Sequence, residues 1–272
     1  MTNVDIERGL QKKFRKAIWG KFISGVKDYQ LIGAGDKIAV CISGGKDSML
    51  LAKLMQMLQR HSDVPFELTY LSMNPGYAPE NSAKIAANAE LLGIPLATFD
   101  SDIFDVVAAA DHSPCYLCAR MRRGHLYKNA KDLGCNKIAL GHHFSDVVET
   151  TLMGLLYGGQ FQTMMPKLHS QNFAGMELIR PMYKVHEDDI IAWRRYHELE
   201  FIRCACRFTE NCAVAGGEVE SKRVEVKALL KKLKRGNPNV EKSIFRAAHM
   251  VNLNTVLGWK RDGAEHGFLE DY

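Results

Sequence analysis

Apolar residues recur at every fourth position near the start of the chain: Ile6, Leu10, Phe14, Ile18, Phe22 and Val26, with Lys and Arg between them. That spacing keeps one face of a helix apolar and predicts an amphipathic helix over residues 4–27. After the glycines at 33 and 35 the pattern changes. Residues 37–42, KIAVCI, form a short and nearly continuous apolar run, the signature of a strand buried on both faces. Glycines 44 and 45 end that run, and helical spacing resumes over 47–59 through Leu50, Leu51, Leu54, Met55 and Leu58.

The alternation then repeats. Strands are predicted at 66–73, 95–100, 137–140 and 177–180, and helices at 80–92, 117–133, 147–157 and 186–197, the last opened by the acidic run Glu187, Asp188 and Asp189. Strands separated by helices of this length imply βαβ units. The expected fold is therefore α/β, a doubly wound and mostly parallel sheet with helices on both faces. Beyond residue 212 the pattern becomes strongly charged, with helices predicted at 218–233 and 243–256. Three regions are expected: an N-terminal amphipathic helix (1–30), a central α/β domain (31–212) and a C-terminal helical extension (213–272). The N-terminal stripe has two candidate partners, the chain's own core or a second copy in a homodimer.

Composition narrows the class of protein. The 272 residues are 46% hydrophobic and 25% charged, so a globular core can form. No apolar run is long enough to span a membrane, and the charged N-terminus does not read as a secretory signal. The seven cysteines are an odd number, which argues against a disulfide scaffold and for a reducing, cytoplasmic setting. Cys41 and Cys135 are expected to be inert packing residues. The formal charge is +5, with concentrations at 120–123, 194–195 and 222–235, and several basic clusters together suggest a polyanionic partner.

Chemistry is densest at residues 43–48, SGGKDS, between the first buried strand and its helix. Gly44 and Gly45 allow the backbone to approach a ligand closely. The helix N-terminus offers unpaired N–H groups and partial positive charge to a phosphate. Lys46 adds a full charge, and Ser43 and Ser48 add hydroxyls. The spacing is not that of the Walker loop. A second strand-to-helix junction, IALGHHFSD, carries Gly141, His142, His143 and Asp146 at the carboxyl end of its strand, where open α/β sheets bind ligands.

Cys115 and Cys118 form a Cys-x-x-Cys pair leading into Arg120, Arg122 and Arg123. From the residues alone three readings compete: a redox dithiol, half of a zinc site completed by Cys204 with Cys206 or Cys212, or an iron–sulfur site.

The hexapeptide SGGKDS resembles the signature of the PP-loop ATPases, which cleave ATP between the α- and β-phosphates and adenylate a substrate. PCYLCARMRRGHLY, GHHFSDVVETTLMGLLYGG and ELIRPMYKVHEDDII together resemble the tRNA 2-thiocytidine synthetase branch of that family, over roughly residues 10–260. The resemblance implies the PP-loop, adenine nucleotide alpha hydrolase-like fold. It implies ATP held by Ser43, Gly44, Gly45, Lys46, Asp47, Ser48, Gly141 and His142. Lys46, Asp47 and Asp146 are implied as catalytic residues, with the two aspartates organising Mg²⁺. It further implies a 4Fe–4S cluster on Cys115, Cys118 and Cys204, with Cys206 as runner-up because the spacing after Cys204 departs from the family pattern. The expected acceptor is tRNA, met by Arg120, Arg122 and Arg123, and the basic helix at 222–235 is a weaker candidate for the same role. The expected sulfur donor is sulfide or the persulfide of a cysteine desulfurase. Two alternatives stay open at this level: another PP-loop adenylating enzyme, such as a lysidine-type tRNA ligase, and a zinc-stabilised nucleotide-binding module. The modified base, its position in tRNA and the oligomeric state are not legible in the sequence.

Overall fold

A computed structural model describes residues 2–108, 114–202 and 222–270, with the side chains of residues 105, 107, 108, 114–116 and 119 outside the description. The chain divides into two compact units, residues 1–146 with 165–219, and residues 147–164 with 220–272.

The first unit is built on six strands: β1 (Lys37–Ile42), β2 (Glu67–Asn74), β3 (Leu96–Asp100), β4 (Lys137–Ala139), β5 (Lys167–His169) and β6 (Glu177–Ile179). Their order is β3-β2-β1-β4-β6-β5. All neighbours are parallel except β5 and β6, so the mostly parallel sheet read from the sequence is observed, with one short antiparallel edge. β1 lies between β2 and β4, and Ile38, Ala39 and Val40 are completely buried, as the unbroken apolar run required. The chain winds from β1 outward through β2 and β3, then returns to lay β4 on the other side of β1. That reversal opens a crevice beyond the carboxyl ends of β1 and β4.

Helix α1 (Asn3–Gln11) starts from a capping box at Thr2 and Asp5. A π-helical turn (Arg15–Trp19) joins it to α2 (Gly20–Asp28). Ile6, Leu10, Ile18 and Phe22 are fully buried in the main core beside Met49, Leu51 and Trp193. The N-terminal stripe thus packs on its own chain. The core also carries charge where sequence pattern expects none. Lys53, fully buried on α3 (Lys46–His61), meets Glu7 at 2.6 Å and the carbonyl of Leu92 at 2.8 Å. Lys137 joins Asp36 at 2.8 Å and Glu177 at 3.1 Å, and donates to the carbonyl of Leu31. Each buried ammonium is matched by carboxylate and carbonyl oxygens, which offsets its desolvation.

Four further helices cover this sheet: α4 (Pro79–Leu91), α5 (Ile103–Ala108), α6 (Pro114–Asp132) and α8 (Glu187–Tyr196). Between α6 and α8, α7 (Phe144–Gly158) begins in the first unit and ends in the second.

The second unit contains α9 (Lys222–Gly236), α10 (Val240–His249) and a hairpin of β7 (Gly258–Arg261) and β8 (Ala264–Gly267). Glu149 of α7 meets Arg223 and Lys227 of α9, each at 3.6 Å, and Tyr157 donates to Glu225 at 2.6 Å. Helix α10 ends earlier than the predicted 243–256, where Asn252 and Asn254 divert the backbone into a short 3₁₀ turn. The hairpin was not predicted. Its turn places Asp262 and Gly263 at positive φ, 52° and 84°, as a two-residue hairpin connection requires.

Candidate active site

The loop from β1 to α3 is a turn that only glycine can make. Gly44 has φ of +82°, and a β-carbon there would lie 2.5 Å from Ile85 and 2.8 Å from Ile202. Ser48 closes the loop: its hydroxyl accepts from the Ser43 N–H and donates to the Gly45 carbonyl, both at 3.1 Å. The hydroxyls expected at a ligand therefore also brace the loop that presents the α3 N-terminus.

The second junction docks directly on the first. A β-carbon on Gly141 would stand 3.1 Å from the backbone of Asp47 and Ser48, so glycine lets the two turns meet. His143, almost fully buried, links the aspartates of the two junctions. Its N–H donates to Asp146 at 2.9 Å, its Nδ1 accepts from the Asp146 N–H at 3.4 Å, and its Nε2 lies 3.7 Å from Asp47 Oδ1. The other oxygen of Asp47 is held by Lys46 at 3.0 Å. Oδ1 is buried and has no hydrogen bond of its own, which suits a carboxylate waiting for a cation.

A cavity of about 320 Å³ opens at this crevice, lined among others by Ser43, Asp47, Tyr77, Arg122, His142 and Asp146. That volume lies at the lower end of ordinary ligand sites. His142 faces it and accepts at Nδ1 from Arg180 Nε at 3.3 Å. Arg180 is buried and also donates to the Met165 carbonyl; burial pulls its guanidinium down to about 10. Lys46 does not line the cavity. Its ammonium spans Asp47 and Glu187, 3.0 Å from each. Burial acts to lower its pKa, but the two carboxylates outweigh it and hold the group above the ordinary lysine value.

Residues 20–206 match the family model described as a PP-loop domain. The chain belongs to the PP-loop family. Within it, a Geobacter metallireducens protein named tRNA-cytidine(32) 2-sulfurtransferase is 37% identical over 250 residues, covering 91% of this chain and 94% of that one. A Shewanella amazonensis protein of the same name is 34% identical over 244 residues, covering 88% and 72%. The chain is a member of this 2-sulfurtransferase branch, as its motifs suggested. The U34-tRNA thiolase NcsA from Methanococcus maripaludis, solved with its 4Fe–4S cluster, shares the fold at a TM-score of 0.66. Its identity is 21%, over 85% of this chain and 76% of that one.

In this PP-loop protein the structure brings together Ser43, Gly44, Gly45, Asp47, Ser48, Gly141, His142 and Asp146 around one crevice. The three arginines read as one RNA-facing group are separated. Successive helix residues turn by about 100°, so Arg120 and Arg123 are exposed while Arg122 enters the cavity wall, its guanidinium 5.5 Å from the centre of the Phe104 ring. Cys118 is buried beside Met73, Ile103 and Phe104, one helical turn after Cys115 on α6. The side chain of Cys115 lies outside the description. Cys204, Cys206 and Cys212 lie outside the described residues. Cys41 and Cys135 are buried; burial, with Cys135 adding to it, pushes the Cys41 thiol up to about 12, and Cys41 also lines the cavity.

Three members of the network have roles that the sequence does not show. His143 was read as a border residue, yet it is the link between the aspartates. Glu187 was read as a helix-opening acid, yet it reaches Lys46. Arg180, which orients His142, carried no signal beyond its place in the IRP segment.

Proposed function

We propose that the chain is an ATP-dependent tRNA 2-sulfurtransferase that adenylates the C2 carbonyl oxygen of a cytidine and replaces that oxygen with sulfur. One observation carries the reading. Cys118 packs beside Met73, which lines the cavity of the phosphate loop, and Arg122, one turn further along the same helix, lines that cavity too. The names of the relatives supply the acceptor.

The C2 carbonyl of a cytidine is a poor electrophile with a poor leaving group. Attack of its oxygen on the α-phosphorus of ATP, with loss of pyrophosphate, converts that oxygen into part of an AMP leaving group. A sulfur nucleophile then adds at C2 and AMP departs. The α3 N-terminus and the Gly44–Gly45 backbone receive the phosphates. Asp47 Oδ1 and Asp146 face the position for Mg²⁺, and His143 keeps the two carboxylates in register. Lys46 acts through Asp47, whose outer oxygen it holds so that the inner one stays turned to the cavity. Arg122 offers its charge to the developing phosphate charge, while Arg120 and Arg123 remain available to RNA. A 4Fe–4S cluster on Cys115, Cys118 and Cys204, with Cys206 as runner-up, supplies a thiophilic iron for sulfur delivery when bound. Sulfide serves as donor directly, and a desulfurase persulfide serves once a thiol reductant has cleaved its S–S bond and released the outer sulfur as hydrosulfide. No helix among the described residues is long and apolar enough to cross a membrane, in keeping with a cytoplasmic tRNA enzyme.

The test is anaerobic turnover of the iron-loaded protein with tRNA, ATP, Mg²⁺ and sulfide. It is expected to yield 2-thiocytidine, AMP and pyrophosphate in equal amounts. Asp47→Asn should lower the rate by about 10²–10³-fold, the scale of losing one charge-stabilising group. Formation of ADP and phosphate, or full thiolation by iron-free protein, would overturn the reading.

A further inference from the structure

The excess of positive over negative charge in this protein is carried by one helix. Helix α9, KRVEVKALLKKLKRG, holds seven Lys and Arg against one Glu, a net +6, while the whole chain is only +5. Everything outside α9 is therefore net −1, which leaves the body that houses the nucleotide cavity close to neutral.

Within α9 the cations divide by position. Lys222, Arg223, Lys227 and Lys234 are tied to Glu225, Glu149 and Glu241 of the same unit. Lys231, Lys232 and Arg235 are exposed, and none has a carboxylate partner among the described residues. The same holds for Lys242 and Arg246 on α10, which follows after a three-residue turn. Lys231 with Arg235, and Lys242 with Arg246, each stand four residues apart. Each pair therefore forms a row on one helix face with charges about 6 Å apart. On α10 the half-buried Val240, Ile244 and Ala248 lie on the side opposite Lys242 and Arg246. A membrane-binding helix sets its cations around an exposed apolar face. On α9 the exposed Leu229 and Leu233 lie on the side away from Lys231 and Arg235, and Val224 alone shares their side, so a polar, regularly charged partner fits better than a lipid surface.

We propose that Lys231, Arg235, Lys242 and Arg246, with Lys232 beside them, form a docking surface for the phosphate backbone of the substrate tRNA. This rests on the tRNA reading above and adds where the RNA is gripped. The surface supplies affinity and encounter rate without reading sequence, as backbone contacts do. Base choice is left to the crevice.

The experiment uses the full-length, cluster-loaded protein and unmodified tRNA transcript, with binding measured between 50 and 300 mM salt. A variant carrying Lys231→Gln, Arg235→Gln, Lys242→Gln and Arg246→Gln is compared with the parent and with a charge-conserving variant in which each Lys becomes Arg and each Arg becomes Lys. The Gln variant is expected to bind tRNA at least about tenfold more weakly at 0.1 M salt. The slope of log affinity against log salt should flatten by about 3, from four lost phosphate contacts at about 0.7–0.9 each. Its KM for tRNA should rise in parallel, while AMP formation at saturating tRNA stays within twofold and the thermal melt is unchanged. The charge-conserving variant should behave as the parent. Equal affinity and slope in the Gln variant overturn the proposal. So does a loss confined to phosphatidylserine vesicles with tRNA binding unmoved. A parent that does not bind tRNA at all overturns the tRNA reading together with this one, a result distinct from a parent and variant that bind equally.

Discussion

The two ends of the chain begin from the same pattern and reach opposite fates. Residues 4–27 and 222–249 are both helical, amphipathic and rich in Lys and Arg. At the N-terminus, Ile6, Leu10, Ile18 and Phe22 are fully buried; in the C-terminal pair α9 buries Val226 and Leu230, and α10 buries nothing. Amphipathicity is shared, so it does not decide burial. Two features differ. Gly9 and Gly25 let the N-terminal helices approach closely, since a β-carbon would stand 2.3 Å from His197 or 3.2 Å from the Pro181 carbonyl. The N-terminal charges also find complementary partners in the body, Glu7 with Lys53 and Lys21 with Asp189 at 2.9 Å. Helices α9 and α10 have no interior glycine, and their surplus charge is of one sign.

This contrast can be broken by substitution. The largest effect is expected from Phe22→Ala, about 3–5 kcal/mol of lost stability from a cavity in the main core, read by denaturant unfolding. Glu7→Gln comes next, at about 3 kcal/mol, because it leaves the buried Lys53 ammonium without its carboxylate. That effect has a pH signature. Burial acts to raise the Glu7 pKa, but Lys53 and Arg60 more than offset it and hold the group below its ordinary 4.5. Its contribution is therefore fully present above pH 4.5 and is lost as pH falls through the depressed value. The gap between parent and Glu7→Gln should narrow on acidification below 4.5. A gap that stays constant down to pH 3 would mean that the pair is not the source.

In the second unit, Leu230→Ala should cost about 2 kcal/mol. The loss should appear as increased hydrogen exchange in α9 with little change in α1 and α2. Smallest of all, Leu257→Ser, at a site 81% exposed, should stay within about 0.5 kcal/mol in a thermal melt. An effect as large as that of Phe22→Ala would show that the C-terminal segment is as well packed as the N-terminal one.

Much of this architecture was legible because it depends on local rules. A buried parallel strand must be apolar on both faces, so KIAVCI announced β1. A strand that ends in two glycines before a helix announced the phosphate loop, and the spacing of the remaining strands gave the sheet. What stayed hidden depends on register and direction. Adjacent His142 and His143 look alike in sequence, yet one faces the cavity beside Arg180 and the other bridges two aspartates. Arg122 and Arg123 are neighbours, and a 100° turn sends one into the crevice and the other to solvent. The acidic run at 187–189 suited a helix N-terminus, but Glu187 and Asp189 are each matched to a lysine more than a hundred residues away. The strand β5 and the hairpin of β7 and β8 escaped because they are largely exposed and carry no apolar pattern, whereas the equally short β4 and β6 are marked by buried apolar residues.

The burial of the N-terminal stripe has a consequence for how the protein is made. Helices α1 and α2 leave the ribosome before Asp189 and His197, against which Lys21 and Gly9 pack and which are 168 and 188 residues further on. At translation rates of about 5–20 residues per second, the stripe waits roughly 10–40 s for that part of its seat. During that interval Leu10, Ile18 and Phe22 form an apolar ridge, studded with lysines, that lacks Trp193 and the other late residues of its core. A stripe that ends fully buried thus spends its first seconds as exposed apolar surface, the kind that chaperones cover.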